Sequence, residues 1–412
     1  MGVKGLTPLL ARFAPASIST ISPSALSGWT LAVDTSIFIQ RFFRSPSPSL
    51  QSRHIQGIYD LATYMHSLDI TPIFIFDGAT RVRGKERELQ KRRQDRIRLQ
   101  HEYERAQARQ KRIRTMQEIG IAVLEDMPAE ISVESWEKPR AVEWLQGELA
   151  REMMAGHTVD ARLDVLEQEA AKTMLFQMGD SAVSADGLPE HNALELLAQL
   201  SSERLDVLAR RAEPLTRQHV DECRQLVRAL GYAAYTVEDA ESESMCAALV
   251  KGGVADAVCT EDLDVLAFGG RLVRGFYTPG QDVLVMDVQQ AIAGLGLKDM
   301  HQFRDLCILC GTDFASTLER VGPVTALKLI KKFGTIEQIL ESGTYRQRDG
   351  FDYQLAREIF GRNVKLPFST REEVRPRSAD RAELDRLQGL FGVRLLAGQT
   401  AGLDPFAAGA LF

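Results

Sequence analysis

The sequence predicts an α/β fold built on a parallel, doubly wound sheet. Two observations carry the prediction. Short apolar runs of strand length each end on aspartate, and stretches with helical apolar spacing lie between them. A third observation gives the fold its interest. In such a sheet, ligands bind at the carboxyl ends of the strands, so runs that end on Asp would gather their carboxylates along that edge.

In chain order, "WTLAVDTSIFI" reads as a buried strand over 30–33 ending at Asp34, and "ITPIFIFDG" as a second over 72–76 ending at Asp77. Between them, "HIQGIYDLATYMHSL" has helical spacing. Residues 81–114 read as a long basic helix with few apolar positions, carrying 14 Lys/Arg against 5 Asp/Glu, a net +9. Residues 117–200 reverse the sign, with 5 Lys/Arg against 17 Asp/Glu, a net −12. Residues 136–178 and 193–230 read as helical, and "GDSAVSADGLPEHN" (179–192) as a flexible small-residue linker. "SESMCAALVKGG" is a helix stopped by Gly252 and Gly253. "ADAVCTEDLD" is a third strand, ending at Asp262 and Asp264. From Asp299 the chain turns helical again, and "RVGPVTALKLIKKFGTIEQIL" reads as helix, tight Gly-Pro turn, helix. From Arg346 onward it is polar and weakly patterned, and no internal repeat is visible.

Composition narrows the class. Of 412 residues, 44% are hydrophobic and 26% charged, as in an ordinary globular protein. No apolar run is long enough to span a bilayer, so no membrane partner is expected. "MGVKGLTPLL" fits neither a signal nor a transit peptide, and Leu6 stands where a myristoylation signal needs Ser or Thr. Five cysteines, an odd number, suit a reducing compartment. Cys307 and Cys310 form one CxxC with no further ligand pair nearby, which reads as buried thiols and not as a zinc site.

Seven acids sit at strand ends or beside glycine turns: Asp34, Asp77, Glu241, Glu243, Asp262, Asp264 and Asp313. Any one alone reads as a turn cap or a solvated loop residue. In an extended segment, residues two apart point the same way, so Asp262 and Asp264 can face one site. Glu241 and Glu243 can do so at the start of a helix. Acids placed inside an apolar strand context, as in "VCTEDLDVLAFG", lose strand propensity and hydration. Converging carboxylates call for cations, and an all-oxygen donor set suits Mg²⁺ or Mn²⁺. Two such ions about 4 Å apart can activate water and stabilise the leaving oxygen in phosphodiester hydrolysis. Lys85, Arg92 and Arg96 recur at spacings that share one helix face, where a cation can stabilise charge developing on a phosphate.

These blocks resemble the structure-specific 5′ nucleases of the flap endonuclease/XPG superfamily. "MGVKGLTPLL" resembles the family's N-terminus. "LAVDTS", "PIFIFDG", "EDAESESMCAALVKGG", "CTEDLDVLAFG" and "DLCILCGTDF" resemble its metal-binding blocks in the family's order. "QHVDECRQLVRALGY" resembles the helix before the Glu pair. The resemblance covers residues 1–110 and 213–345. It implies a PIN-like parallel sheet with a helical arch and a helix-two-turn-helix DNA-binding module. It implies the seven acids as metal carboxylates for two Mg²⁺ (or Mn²⁺), Lys85 and Arg92 as the basic pair at the scissile phosphate, and Gly2 as the N-terminal residue packed near the site. "VGPVTALKLI" resembles the duplex-gripping hairpin, in which Gly322, Lys328, Lys331 and Lys332 would meet phosphates.

On this reading, residues 1–115 are the N-terminal nuclease region with the basic arch helix, 116–212 an acidic helical insert, and 213–290 the internal nuclease region. Residues 291–345 form the helix-two-turn-helix region and 346–412 a C-terminal extension. The chain also departs from the family. Gln40 replaces a stacking Tyr, with Phe38, Phe42 and Phe43 nearby as substitutes or core. Arg320 stands for a Gly in the hairpin turn, with Val324 and Thr325 at common basic positions, which leaves K⁺ binding there open. "TAGLDPFA" resembles a worn sliding-clamp peptide that keeps Leu403 and Phe406. The acidic insert can lie against the basic helix, or stand as a solvated appendage or docking platform.

The activity expected from the resemblance is Mg²⁺-dependent cleavage of flapped or forked DNA in replication or repair. A 5′→3′ exonuclease, a junction resolvase of the same superfamily and an inactive nuclease-fold scaffold are the alternatives. A DxD phosphatase would leave the basic helix and the hairpin without a role. The resemblance implies a nuclear location and leaves a mitochondrial one open.

Overall fold

The computed structural model describes residues 2–45, 52–78, 86–125, 191–276, 278 and 280–393. The chain forms two compact units, Met1–Lys91 with Leu215–Phe412, and Arg92–Pro214.

The first unit is organised by a seven-stranded sheet in the order β1-β7-β6-β5-β2-β3-β4. The strands are β1 (Ile18–Ile21), β2 (Thr30–Asp34), β3 (Thr71–Asp77), β4 (Ala233–Val237), β5 (Ala257–Cys259), β6 (Leu272–Arg274) and β7 (Val283–Met286). Five of them, β6-β5-β2-β3-β4, are parallel, while β7 runs antiparallel to both β6 and β1. The sheet is therefore parallel at its centre and mixed at one edge.

Every residue of β2 is buried, the signature of a central strand covered on both faces. Side chains alternate between two cores. Ala32, Ile73, Ile75 and Val258 enter one; Leu31, Val33, Phe74, Phe76 and Cys259 enter the other. The second core is closed by α2 (Thr35–Phe43) and α3 (Arg53–Ser67), together with α6 (Arg217–Ala229). The first is closed by α1 (Leu6–Phe13), α7 (Ser242–Lys251), α8 (Asp264–Phe268), α9 (Val288–Leu295), α10 (Met300–Cys310), α11 (Pro323–Phe333) and α12 (Ile336–Glu341). In the second unit, α4 (Glu86–Glu125) packs on α5 (His191–Ala212) through Ile113 and Leu197.

Several expectations change. Four strands, β1, β4, β6 and β7, escaped the sequence reading because they are only three to five residues long and two of them, β1 and β7, form the antiparallel end of the sheet. The helical stretch 193–230 is two helices, broken at Pro214 and restarted by Thr216, whose hydroxyl caps α6. The Gly322-Pro323 pair does not join two helices. It opens α11, with Pro323 at the first turn, and the tight turn lies at Gly334 before α12. Residues beyond Arg346 are not featureless. The helix α13 (Tyr353–Gly361) buries Ala356 and Phe360, and α14 (Arg381–Phe391) buries Leu387. Arg357 on α13 forks onto Asp305 and Glu337, and Arg371 forks onto Asp256, fastening this stretch to the sheet's first core.

All five cysteines are buried free thiols. No helix among the described residues is long and apolar enough to cross a membrane. Residues 126–190 of the acidic segment, and Leu403 and Phe406, lie outside the described residues.

Candidate active site

The parallel strands bring their carboxyl ends to one edge, and the acids arrive there from four separate segments. Asp34 closes β2, and Asp77 closes β3. Glu241 directly precedes α7, and Glu243 lies in that helix's first turn, where the helix dipole favours negative charge. Asp262 lies in the turn after β5, and Asp264 is the first residue of α8.

Hydrogen bonds tie these segments together. The Ser242 backbone N–H donates to Asp77 Oδ1 at 3.0 Å, and the Ser242 hydroxyl donates to Asp34 Oδ1 at 2.9 Å. Thr260 Oγ1 donates to Asp34 Oδ2 at 2.8 Å, so both oxygens of Asp34 are held. Asp34, Asp262 and Asp264 are only 2%, 7% and 4% exposed.

Burial pushes the Asp34 carboxyl up from 3.8 to about 7, with the negative charge of Asp77 second and that of Asp262 adding to it. The hydrogen bonds from Thr260 and Ser242 act in the opposite direction. The thiols of Cys246 and Cys259 are pushed well above their usual value, chiefly by burial and further by neighbouring carboxylates. Thiolate donors are thus disfavoured, and the edge offers oxygen. That chemistry fits hard divalent cations. Among the described residues no three of these side chains meet as a closed cage; they line an edge.

Asp262 and Asp264 do not share an extended segment. The chain turns between them. Asp262 N–H donates to Thr260 Oγ1 at 3.2 Å, and Asp264 N–H donates to Asp262 Oδ1 at 2.9 Å. Local side-chain–backbone bonds of this kind compete with strand pairing, which is why β5 stops at Cys259.

Gly2 lies against the same pair. A Cβ there would stand 2.1 Å from Asp262 Oδ1 and 2.7 Å from the Asp264 nitrogen, and the backbone has φ +81°. Only glycine fits both the space and the conformation. Two residues on, Lys4 N–H donates to the Gly311 carbonyl at 3.0 Å, which ties the loop carrying the half-buried Asp313 to the N-terminal segment.

The cationic residues divide. Arg92 and Arg96 are exposed on α4, in the second unit, and Lys85 lies outside the described residues. Lys328, Lys331 and Lys332 are exposed on α11, downstream of the exposed Gly322. Arg320 adopts φ +56°, the conformation a glycine takes readily, so the turn keeps that backbone without the residue that favours it. Phe38, Phe42 and Phe43 are buried, which places all three in the core and leaves none as a stacking platform.

Two contributors to the edge were not singled out from the sequence, Ser242 and Thr260. The signal that could have found them is a hydroxyl residue next to acids, between two in "ESE" and ahead of three in "TEDLD".

The family model described as the XPG N-terminal domain matches residues 1–99, and the one described as the XPG I-region matches residues 234–313. A flap endonuclease 1 from Ostreococcus lucimarinus is 41% identical over 167 residues, which is 39% of this chain and 42% of that relative. The chain thus spans about two fifths of the length of such relatives at this level of identity. A flap endonuclease 1-A from Sorghum bicolor is 27% identical over 377 residues, covering 87% of this chain and 75% of the relative. The catalytic core of Rad2 in complex with DNA substrate shares the fold with a TM-score of 0.54 at 16% identity, over 95% of both chains. Human GEN1 in complex with Holliday junction DNA does so with a TM-score of 0.52 at 16% identity, over 95% of this chain and 74% of that one. The two family models fall on the two blocks that build the carboxylate edge, so residues 1–99 and 234–313 are similar to the XPG N-terminal domain and the XPG I-region, within a fold that is shared with Rad2 and GEN1.

Proposed function

We propose that the chain is a Mg²⁺-dependent, structure-specific 5′ nuclease that hydrolyses phosphodiester bonds in flapped or forked DNA. One observation carries the reading. Buried carboxylates from β2, the start of α7 and the β5–α8 turn gather with the exposed Asp77 of β3 at one sheet edge, at a cost in desolvation and repulsion that a divalent cation relieves. The names of the relatives and the nucleic acids described with Rad2 and GEN1 support the same substrate class.

In this reading Asp34, Asp77, Glu241, Glu243, Asp262, Asp264 and Asp313 hold the cations. When bound, Mg²⁺ supplies charge neutralisation at the scissile phosphate and a lowered proton affinity for water. The chain's own groups do the rest. Ser242 and Thr260 fix the orientation of Asp34. Gly2 lets the N-terminal backbone approach Asp262. Lys85 and Arg92 direct positive charge at the reacting phosphate. Arg96, Lys328, Lys331 and Lys332 contact phosphates away from the reaction. Work on chromosomal DNA would place the protein in the nucleus, which localisation of the tagged chain tests.

The test of the activity uses end-labelled flap, nicked, gapped and bubble DNAs with Mg²⁺ and with EDTA. Cleavage near the flap junction is expected with Mg²⁺ and none with EDTA. Asp262→Ala and Asp313→Ala should abolish cleavage while flap binding survives. Cleavage in EDTA, or near wild-type rates in either variant, would falsify the assignment.

A further inference from the structure

We infer that Ser242 is a positioning residue that links three of the candidate metal carboxylates and sets the geometry of the site before a cation arrives; this rests on the carboxylate reading above. Ser242 is the first residue of α7, enclosed between Glu241 and Glu243, and is fully buried. Its backbone N–H donates to Asp77 Oδ1 at 3.0 Å. Its hydroxyl donates to Asp34 Oδ1 at 2.9 Å and also lies 3.2 Å from Glu243 Oε2. One residue thus touches acids from β2, β3 and α7.

The bonds are not those of a serine serving its own helix. Glu241 is the N-cap, and no side chain caps that terminus. The hydroxyl acceptor on Asp34 lies 208 residues away in sequence. A serine hydroxyl carries a single proton, so the contacts to Asp34 and Glu243 cannot both be donated bonds at once. With its proton directed to Asp34, the Ser242 hydroxyl holds one oxygen of that carboxylate in place. On its other side, Thr260 donates to Asp34 Oδ2 at 2.8 Å and accepts from Asp262 N–H at 3.2 Å. Asp34 is clamped between two hydroxyls, and each hydroxyl leads to another acid. Groups that orient metal ligands in this way typically change metal affinity by about 10- to 100-fold when removed.

The experiment measures Mn²⁺ affinity of the full chain without DNA, from the EPR signal of the free ion, at a fixed pH of about 8. Ser242→Ala should bind Mn²⁺ at least about tenfold more weakly. Ser242→Thr and Ser242→Val place nearly equal volumes in the same buried space and differ in the hydroxyl. The Thr variant should bind more tightly than the Val variant by a similar factor. A packing role alone would make these two equal, and equality overturns the proposal. The Thr/Val comparison decides the matter even if Ser242→Ala does not fold. Asp34→Asn is the control. If it loses Mn²⁺ while Ser242→Ala keeps wild-type affinity, the positioning role is wrong and the carboxylate reading stands. If Asp34→Asn binds as wild type does, the carboxylate reading fails, and the inference with it.

Discussion

Replacing Asp34 with Asn should stabilise the cation-free protein at neutral to alkaline pH. The Asp34 carboxyl is fully buried and pushed from 3.8 to about 7, first by burial, then by Asp77, with Asp262 adding to it. The sign follows from linkage. Between these two values the folded state binds a proton that the unfolded chain has released, so stability falls as pH rises. The contribution is complete below about pH 4 and is lost as pH passes 7. The rise from 3.8 to about 7 corresponds to about 4 kcal/mol. Asn removes the charge but offers one acceptor oxygen where Asp offers two, so one of the bonds from Ser242 and Thr260 is lost, at about 1 kcal/mol. The net gain at pH 8 in EDTA is therefore about 2–3 kcal/mol. Near pH 4, where the charge contribution vanishes, only the lost bond remains and the variant should be about 1 kcal/mol less stable than wild type. Mg²⁺ at a hundredfold excess over Kd should close the gap, since wild type gains about 2.7 kcal/mol there and the variant does not. Urea unfolding followed by circular dichroism, at both pH values and with EDTA or Mg²⁺, measures each difference. The comparison with wild type cancels the titration of groups remote from Asp34, so the difference reports Asp34 together with the acids beside it. A variant no more stable than wild type at pH 8 in EDTA would mean that the edge bears no such charge burden.

Three further outcomes are expected. Arg92→Ala should lower the single-turnover rate more than DNA affinity, because a charge aimed at the reacting phosphate acts most in the transition state; a loss confined to the binding titration would make Arg92 an ordinary phosphate contact. Arg357→Met should cost about 3–5 kcal/mol in urea unfolding, because it leaves the fully buried Asp305 carboxylate without its forked partner, and a loss under about 1 kcal/mol would show that water or another donor replaces Arg357. Joining α4 to Arg217 through a short linker should tighten DNA binding, with a larger gain at low salt, if the acidic segment competes for the basic helix; unchanged affinity across salt in a folded, active deletion excludes that competition.

The sheet centre and its acids were legible because they obey strong rules. A run such as "TLAVD" is too apolar for a surface loop and too short for a helix, and the Asp that ends it marks the strand's carboxyl end. Gly252 and Gly253 marked where α7 stops, and the structure stops it there. What remained hidden depends on tertiary partners. The β6 strand, "LVR", is a strand because β5 and β7 flank it, not because three residues declare it. The order of the 320–340 segment was misread because Gly-Pro serves equally as a turn and as the opening of a helix. Arg357 looks like a surface charge until α13 is folded onto Asp305. Ser242 and Thr260 are small, common residues that gain their role chiefly from one acid, Asp34, 208 and 226 positions away.

The same contrast explains how the fold tolerates its acids. Asp34 ends a strand whose five residues are all buried, between neighbours in the sheet that are almost wholly apolar. That apolar scaffold fixes where the backbone of Asp34 stands, whatever the charge at its tip. The hydroxyls of Ser242 and Thr260 then fix the side chain, so the carboxylate cannot swing out to water and relax. A carboxylate free to rotate would escape burial and would present no set geometry to a cation. The clamp thus fixes the geometry and offsets part of the charge burden at once. A substitution that removes one of its hydroxyls should push the Asp34 carboxyl further up and lower the cation affinity together, whereas one that only thins the apolar core should lower global stability with the cation affinity of the folded protein unchanged.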